Sequence, residues 1–333
     1  MEKVNAVPGM QIASTGIYLP KKVLANDELE KMVDTSDEWI TTRTGIKERR
    51  ISAPGELTAD LGAEAAKMAM KNAELSPKDI DLILVATISP DAIFPSVACS
   101  IQQRIAATHA CAMDLQAACT GFIYGLVMVS GFIATGKYKN ILLIGAERIS
   151  AYIDWSDRNT CVLFGDGAGA VIIRPTEDKR SNLIAHHLGA DGRAGDVLYL
   201  NNGRKDVYFG CDVETLPREG MVMSGQEVFK KAVIAMYHSA TRTMKEAGCT
   251  VDDIKCVISH QANIRIINAL SDRLKVPKEK RFINVQRYGN ISAACIPVAL
   301  HEAKDYYPLE RGDKILLVAF GGGLTWGSAI IEW

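Results

Sequence analysis

Two kinds of apolar run alternate along the chain. The segments "MQIASTGIYLP" (10–20), "IDLILVATIS" (80–89), "NILLIGAERIS" (140–150) and "AGAVIIR" (168–174) are short and nearly continuous in apolar residues, the pattern of buried strands. The last is entered through "GDGAG", which reads as a glycine turn. Between them, "LTADLGAEAAKMAMKNAEL" (57–75) is alanine-rich and amphipathic, which predicts a helix. Strands alternating with helices imply an α/β class.

The order then repeats. "NLIAHHLGADGR" (182–193) matches the opening strand and "VFKKAVIAMYHSATRTMKEAG" (228–248) the long helix. "SPKDIDLILVATIS" (76–89) and "TVDDIKCVISHQAN" (250–263) share a turn, an acidic step and an apolar run. "DLQAACTGFIYGL" (114–126) parallels "NVQRYGNISAACIPVAL" (284–300), "KNILLIGAE" parallels "DKILLVAFG", and "AGAVIIR" parallels the final "WGSAIIEW". A period this long is no solenoid. It predicts two similar α/β halves, 1–179 and 180–333, about a pseudo-twofold axis.

One stretch tests this picture. Residues 115–136, "LQAACTGFIYGLVMVSGFIATG", carry no charge, and their length alone allows a membrane span. Glycines 121, 125, 131 and 136 with Gln116 and Thr120 make a poor lipid-facing helix. Only about 119–135 reads as helix, roughly 25 Å at 1.5 Å per residue, short for a bilayer core of about 30 Å. Burial inside the duplicated fold is the expectation, with no membrane contact.

The remaining composition narrows the function classes. The 333 residues are 48% hydrophobic and 23% charged, an ordinary globular balance. Lys+Arg 38 against Asp+Glu 39 argues against a broad nucleic-acid footprint. The N-terminal "MEKVNAVPGMQIAS" has no h-region of a signal peptide. None of the eight cysteines forms a CxxC pair, so reduced thiols in a cytoplasmic protein are expected. His186-His187 lacks partners at metal spacing and reads as structural.

The repeat brings three reactive side chains together. Cys119 precedes the apolar helix, His260 follows a strand-like run, and Asn290 lies in the loop equivalent to that of Cys119. Taken singly, they also fit a packed thiol, a structural histidine and a turn cap. A thiol at a helix N-terminus sees the positive end of the macrodipole, which lowers its pKa from ~8.5 to roughly 3.5–7.5. "AFGGGLTWGSA" (319–329) lacks the Lys-Ser/Thr of a P-loop, and "GDGAG" lacks the spacing of a dinucleotide fingerprint. The glycines read as exposed backbone, an oxyanion hole of Gly323 N–H with Cys119 N–H.

With these residues in hand, the chain resembles the β-ketoacyl-acyl carrier protein synthase III family of the thiolase superfamily. The resemblance covers essentially the whole length through "DEWITTRTGIKERR", "AACTGF", "LFGDGAGA", "ISHQANIRI", "GNISAACIP" and "FGGGLTWGSA". It implies a five-layered thiolase fold, a homodimer, and two substrates, acyl-coenzyme A and malonyl-acyl carrier protein, with no cofactor or metal. It further implies Cys119 as nucleophile, with His260 and Asn290 serving the decarboxylative condensation. Trp39, Arg43 and Arg158 match positions contacting the nucleotide end of coenzyme A, and Ala262 and Asn263 match positions near the pantetheine tunnel. Phe94, Ile149 and Phe164 match the acyl pocket, Phe94 reaching the partner subunit's. Gln261, Arg265, Lys230 and Arg273 match the surface that docks the carrier protein. Cys295 departs from the family's usual small hydroxyl residue and is expected to be buried packing.

The rivals are a degradative thiolase, which needs a cysteine at the glycine loop, and a hydroxymethylglutaryl-type synthase, which needs a glutamate near the nucleophile. The sequence offers no clear candidate for either. A starter-unit or specialised-metabolite ketosynthase keeps the same Cys-His-Asn set, and a carrier-binding scaffold is the non-enzymatic alternative. The starter acyl group, acetyl, propionyl or branched, is left open.

Overall fold

The computed structural model describes residues 9–176, 181–201 and 220–333. The first half contributes strands β1 (Met10–Tyr18), β2 (Leu82–Ala86), β3 (Cys111–Leu115), β4 (Ile141–Arg148) and β5 (Asp166–Pro175). Its main helices are α1 (Asp37–Thr44), α2 (Thr58–Asn72), α3 (Val97–Arg104) and α4 (Gly121–Ala134). The second half supplies β6 (Leu183–Ala190), β7 (Ile254–Ser259), β8 (Lys314–Gly321) and β9 (Thr325–Glu332), with α5 (Gly225–Glu246), α6 (Ile264–Leu274) and α7 (Cys295–Tyr306).

The two sheets have one topology. The first runs β1-β5-β4-β2-β3 and the second β6-β9-β8-β7, so each matched segment occupies the same place in its sheet. In both, one matched pair is parallel (β2 with β4, β7 with β8) and the pairings on its β1 or β6 side are antiparallel; β3 adds a further parallel pairing to β2. Among the described residues the second sheet has no counterpart of β3; there the chain touches β7 through a bridge, Val257 with Arg281. The shared acidic step is a shared cap. Asp79 accepts the Ser76 N–H at 2.7 Å, and Asp253 accepts the Thr250 N–H at 2.8 Å, the first just before β2 and the second just before β7.

Helices α4 and α7 lie between the sheets, α4 touching β2, β4, β6, β8 and β9, and α7 touching β1, β5 and β7. Helices α2 and α3 cover the outer face of the first sheet and α5 that of the second, with α6 packed on α5 and its Leu270 and Leu274 in one hydrophobic cluster with Ile254, Val257 and Leu316. The result is the five-layered α-β-α-β-α arrangement. The uncharged stretch is thus an inner layer. Helix α4 has 14 residues, and Phe122, Ile123, Leu126, Val129 and Ile133 on it are fully buried. Among the described residues no helix is long and apolar enough to cross a membrane.

"GDGAG" corrects one expectation, because from Asp166 on it is strand β5 and not a turn. A Cβ on Gly169 would stand 2.8 Å from Val298 N and from Pro297 Cβ, so the glycine lets α7 lie directly on the sheet. The boundary expected between 179 and 180 falls on residues outside the described set.

Candidate active site

Cys119 sits in a 3-10 turn, Ala118–Thr120, between β3 and α4. The turn opens on Ala118 in the left-handed region, φ 46°, a costly conformation for a residue with a Cβ. Its counterpart before α7, Ser292–Ala294, opens the same way on Ser292, also φ 46°. Two hydroxyls clamp the Cys119 turn to the glycine hairpin joining β8 and β9. Thr325 Oγ1 donates to Ala117 O at 3.1 Å, and Thr120 Oγ1 lies 2.9 Å from Thr325 Oγ1. The hairpin comes very close: a Cβ on Gly321 would be 2.7 Å from Cys119 N. No other residue fits there.

His260 follows β7 and is anchored through its backbone, its N–H donating to Val318 O at 2.7 Å. Its ring Nδ1 is buried without a hydrogen-bond partner. Asn290 is held against the first half by two backbone bonds, Asn290 N to Leu163 O at 2.8 Å and Gly165 N to Asn290 O at 3.1 Å. Its Oδ1 accepts the Ser292 N–H at 2.9 Å, which leaves the Nδ2 donors for the cavity Asn290 lines. Cys119, His260 and Asn290 all line one cavity of about 1840 Å³. The convergence expected from the repeat is therefore present.

Electrostatics departs from expectation at Cys119. The thiol is not lowered; complete burial pushes it up to about 12, the neighbouring Glu147 carboxyl adds to this, and the Ser292 hydroxyl opposes it. Desolvation disfavours the thiolate and is the largest cause of this rise. His260 is pushed down to about 4 by burial alone and is neutral. Glu147, on β4, is fully buried and pushed up to about 7 by desolvation, against hydrogen bonds that favour its ionised form. Glu147 is the residue the sequence reading missed. It lies within an apolar strand run 28 positions after Cys119, and its only signal was an acid where a buried strand should have none.

The same cavity is lined toward solvent, at its mouth, by Trp39, Arg43, Ala262, Asn263, Arg265 and Lys230, of which Arg43, Lys230 and Arg265 are exposed. There Arg43 and Arg158 stack over the Trp39 ring, at 4.8 Å and 5.3 Å from its centroid. A family model described as 3-Oxoacyl-[acyl-carrier-protein (ACP)] synthase III matches residues 113–192, and its C-terminal companion matches residues 244–333. A β-ketoacyl-[acyl-carrier-protein] synthase III of Caldanaerobacter subterraneus subsp. tengcongensis is 49% identical over 322 residues, 97% of each chain. One from Aquifex aeolicus is 49% identical over 98% of this chain and all of its own. A crystal structure of 3-oxoacyl-[acyl-carrier-protein] synthase III from Aquifex aeolicus VF5 superposes with a TM-score of 0.90 at 48% identity, covering 98% of this chain and 100% of that one. The chain belongs to the β-ketoacyl-[acyl-carrier-protein] synthase III family. It is a condensing acyltransferase of thiolase fold.

Within the synthase the remaining expected positions divide. Arg158 flanks the mouth, tied to Asp34 through a 2.8 Å bond to its carbonyl and a 3.2 Å ion pair. Asn263 donates from Nδ2 to Arg43 O at 3.1 Å, joining the two halves at the mouth. Arg265 stacks on Phe229 at the rim, whereas Arg273 lies on Tyr237 away from the cavity. Phe164 lines the cavity, and Phe94 is 84% exposed beside it.

Two expectations fail. Ile149 is fully buried in the hydrophobic cluster that includes Phe164 and does not line the cavity. Gln261 cannot dock a carrier protein because it is only 1% exposed. Its Nε2 donates to Ser259 O at 2.8 Å and Phe282 O at 3.2 Å, and its Oε1 accepts the N–H groups of Asn284 and Val285. Gln261 instead ties the strand end carrying His260 to the segment leading to Asn290. Cys295 is buried as expected, but its thiol also points at Asn290 Oδ1, 3.8 Å away.

Proposed function

We propose that the synthase condenses a short acyl-coenzyme A starter with malonyl-acyl carrier protein through an acyl-Cys119 intermediate. The observation that carries this is the meeting of Cys119, His260 and Asn290, from three distant segments and both halves, at the base of one cavity. In the first step the Cys119 sulfur attacks the thioester carbonyl. The oxyanion of the tetrahedral intermediate is met by the Cys119 N–H and a hairpin N–H, that of Gly323.

In the second step malonyl-thioester loses carbon dioxide, and its electrons pass to the thioester oxygen as an enolate. A neutral His260 ring N–H and the Asn290 amide stabilise that oxygen. The low pKa of His260 suits this role: a neutral imidazole donates a hydrogen bond without protonating the carbanion. Neutral donors suffice for the enolate, so the reaction needs no metal. The carbanion then attacks acyl-Cys119, and the apolar walls keep water from quenching it.

At the mouth, Trp39 with Arg43 and Arg158 suits the nucleotide end of coenzyme A, one ring for stacking and two guanidinium groups for phosphates. Ala262 and Asn263 flank the pantetheine path. Arg265 and Lys230 at the rim, with Arg273 farther along α6, offer cations to an acidic carrier protein. Free thiols at the seven described cysteines suit a cytoplasmic enzyme. The protein works as a homodimer, with Phe94 reaching the partner's acyl pocket.

Intact-protein mass spectrometry tests the assignment. Acyl-coenzyme A should add one acyl group to the wild type and none to Cys119→Ala. His260→Ala and Asn290→Ala should still acylate and lose condensation. Loss of acylation with decarboxylation intact in either variant would refute this division of roles.

A further inference from the structure

Stabilising the enolate takes two donors aimed at one oxygen, and they come from different loops, His260 after β7 and Asn290 before α7. Such donors act only where their spacing is set in advance. Gln261, next to His260, sets one side of that spacing. Its Oε1 accepts the Asn284 N–H at 2.9 Å and the Val285 N–H at 3.2 Å, and its Nε2 donates to Phe282 O at 3.2 Å. A second Nε2 bond, to Ser259 O at 2.8 Å, turns the side chain back onto β7. Both amide protons and both lone pairs of the oxygen are used. From Val285 a short helix, Val285–Tyr288, leads to Asn290, and the Gly289 N–H that ends it donates to Val285 O at 2.9 Å.

Cys295 closes the loop from the other side. Its sulfur accepts the Ile291 N–H at 3.3 Å, and its S–H faces two oxygens, Gln261 O and Asn290 Oδ1, each 3.8 Å away. One thiol thus lies between the backbone of Gln261 and the amide of Asn290. Asn290 Oδ1 also accepts the Ser292 N–H at 2.9 Å. An amide reversed end for end would set its own N–H groups against these two donors, so the pair decides which end faces the cavity. Gln261 and Cys295 are both buried, and a buried polar network with its bonds made holds one arrangement.

We propose that Gln261 and Cys295 form a bracket that sets the separation of the His260 ring from the Asn290 amide and the direction in which that amide points. Neither residue lines the cavity, so both are positioning residues. The bracket's bonds end on Ser259, Phe282, Asn284, Val285, Asn290 and Ile291, none of them in the Cys119 turn. It therefore serves the condensation and not the acylation, and it rests on His260 and Asn290 being the enolate donors.

The two half-reactions, measured separately in the full-length protein, test this. Acylation by acetyl-coenzyme A is followed as adduct mass, and decarboxylation of malonyl-acyl carrier protein on the acetylated enzyme as carbon dioxide release. Cys295→Ala should acylate at the wild-type rate and lose roughly 2- to 10-fold in kcat for decarboxylation, the worth of one neutral hydrogen bond, with KM unchanged. Cys295→Ser, which keeps a donor on the same carbon, should recover the rate. Gln261→Met keeps the length of the side chain without its four bonds and should lose about 100-fold in the same step. Cys295→Ala added to Asn290→Ala should cost nothing further, because its effect passes through Asn290. Wild-type decarboxylation in Cys295→Ala, equal losses in both half-reactions, no recovery in Cys295→Ser or a further loss in the double variant would each overturn the proposal. Cys295→Ala removes only the sulfur, so the test stands on it even where Gln261→Met does not fold. Failure of the underlying reading looks different: Asn290→Ala alone would decarboxylate like the wild type.

Discussion

At the scale of single residues, the two perturbed groups at the base of the cavity pull stability in opposite directions with pH. His260 sits near 4 in the folded protein against an ordinary 6.5. Below 6.5 the unfolded chain takes up a proton that the folded chain refuses, so stability falls as pH drops from 6.5 toward 4. Glu147 sits near 7 against 4.5, so the folded chain holds the extra proton and stability falls as pH rises from 4.5 to 7. Each effect has a ceiling of about 3 kcal/mol, from roughly 2.5 pK units at 1.36 kcal/mol each. Urea melts should therefore show His260→Asn gaining on the wild type at pH 5 and Glu147→Gln gaining at pH 8. A Glu147→Gln protein less stable than wild type at pH 8 would mean that the carboxylate's hydrogen bonds outweigh its burial. The Cys-His-Asn set was readable in the chain because His260 ends an apolar run and Cys119 and Asn290 stand at equivalent places in a repeated order. Glu147 was not, because a single acid inside a strand says nothing about which turn from the other half packs against it. Gln261 misled for a related reason: its neighbours His260 and Ala262 line the cavity, and only the local backbone decides which side chain turns inward.

Elements explain how Cys119 is held. The sequence pattern located β4, β5, α2 and α4 well because their apolar periods are long and unbroken. It misjudged "GDGAG", since glycines that admit a neighbouring helix look in sequence like glycines that make a turn. The glycine hairpin poses the same question with a sharper answer. Gly321 closes β8 directly behind the backbone of Cys119, where a methyl group would stand 2.7 Å from Cys119 N and 3.0 Å from Ala118 Cβ. Backbone cannot yield as a flexible side chain would. Gly321→Ala should displace the Cys119 N–H, the oxyanion donor proposed above, while the sheet, paired from Lys314 to Gly321, stays formed. Loss of such a donor typically costs about 10²- to 10³-fold in rate, and a partial displacement should cost at least 10-fold. Single-turnover acylation on a variant with an unchanged circular dichroism spectrum is the measurement. Wild-type acylation in that variant would show that the hairpin does not set the position of the nucleophile's N–H.

For the molecule as a whole, duplication accounts for the buried face of each sheet but leaves one surface unexplained. Ile93 and Phe94, between β2 and α3, are 78% and 84% exposed. Their segment is pinned at Asp91, which accepts the N–H groups of Thr58 and Ala59 at 2.7 Å and 3.0 Å. Its neighbours Ala92 and Ile93 line the catalytic cavity. Two adjacent apolar side chains held out beside an active site fit a second copy better than solvent. In a twofold dimer each Phe94 is buried once, so two are lost together in a variant. At about 1.5–3 kcal/mol per buried phenylalanine, Phe94→Ala should weaken the dimer by roughly 10²- to 10⁴-fold. Sedimentation of the wild type should give twice the 36.2 kDa chain mass, with the variant dissociating at higher concentration. At concentrations that keep the variant dimeric, Cys119 should still be acylated by acetyl-coenzyme A, and longer starters should gain because the partner's pocket has lost a wall. A wild-type monomer at micromolar concentration would remove both the dimer and the shared pocket. Unchanged chain-length preference in a dimeric variant would keep the dimer and free Phe94 from any part in selecting the starter.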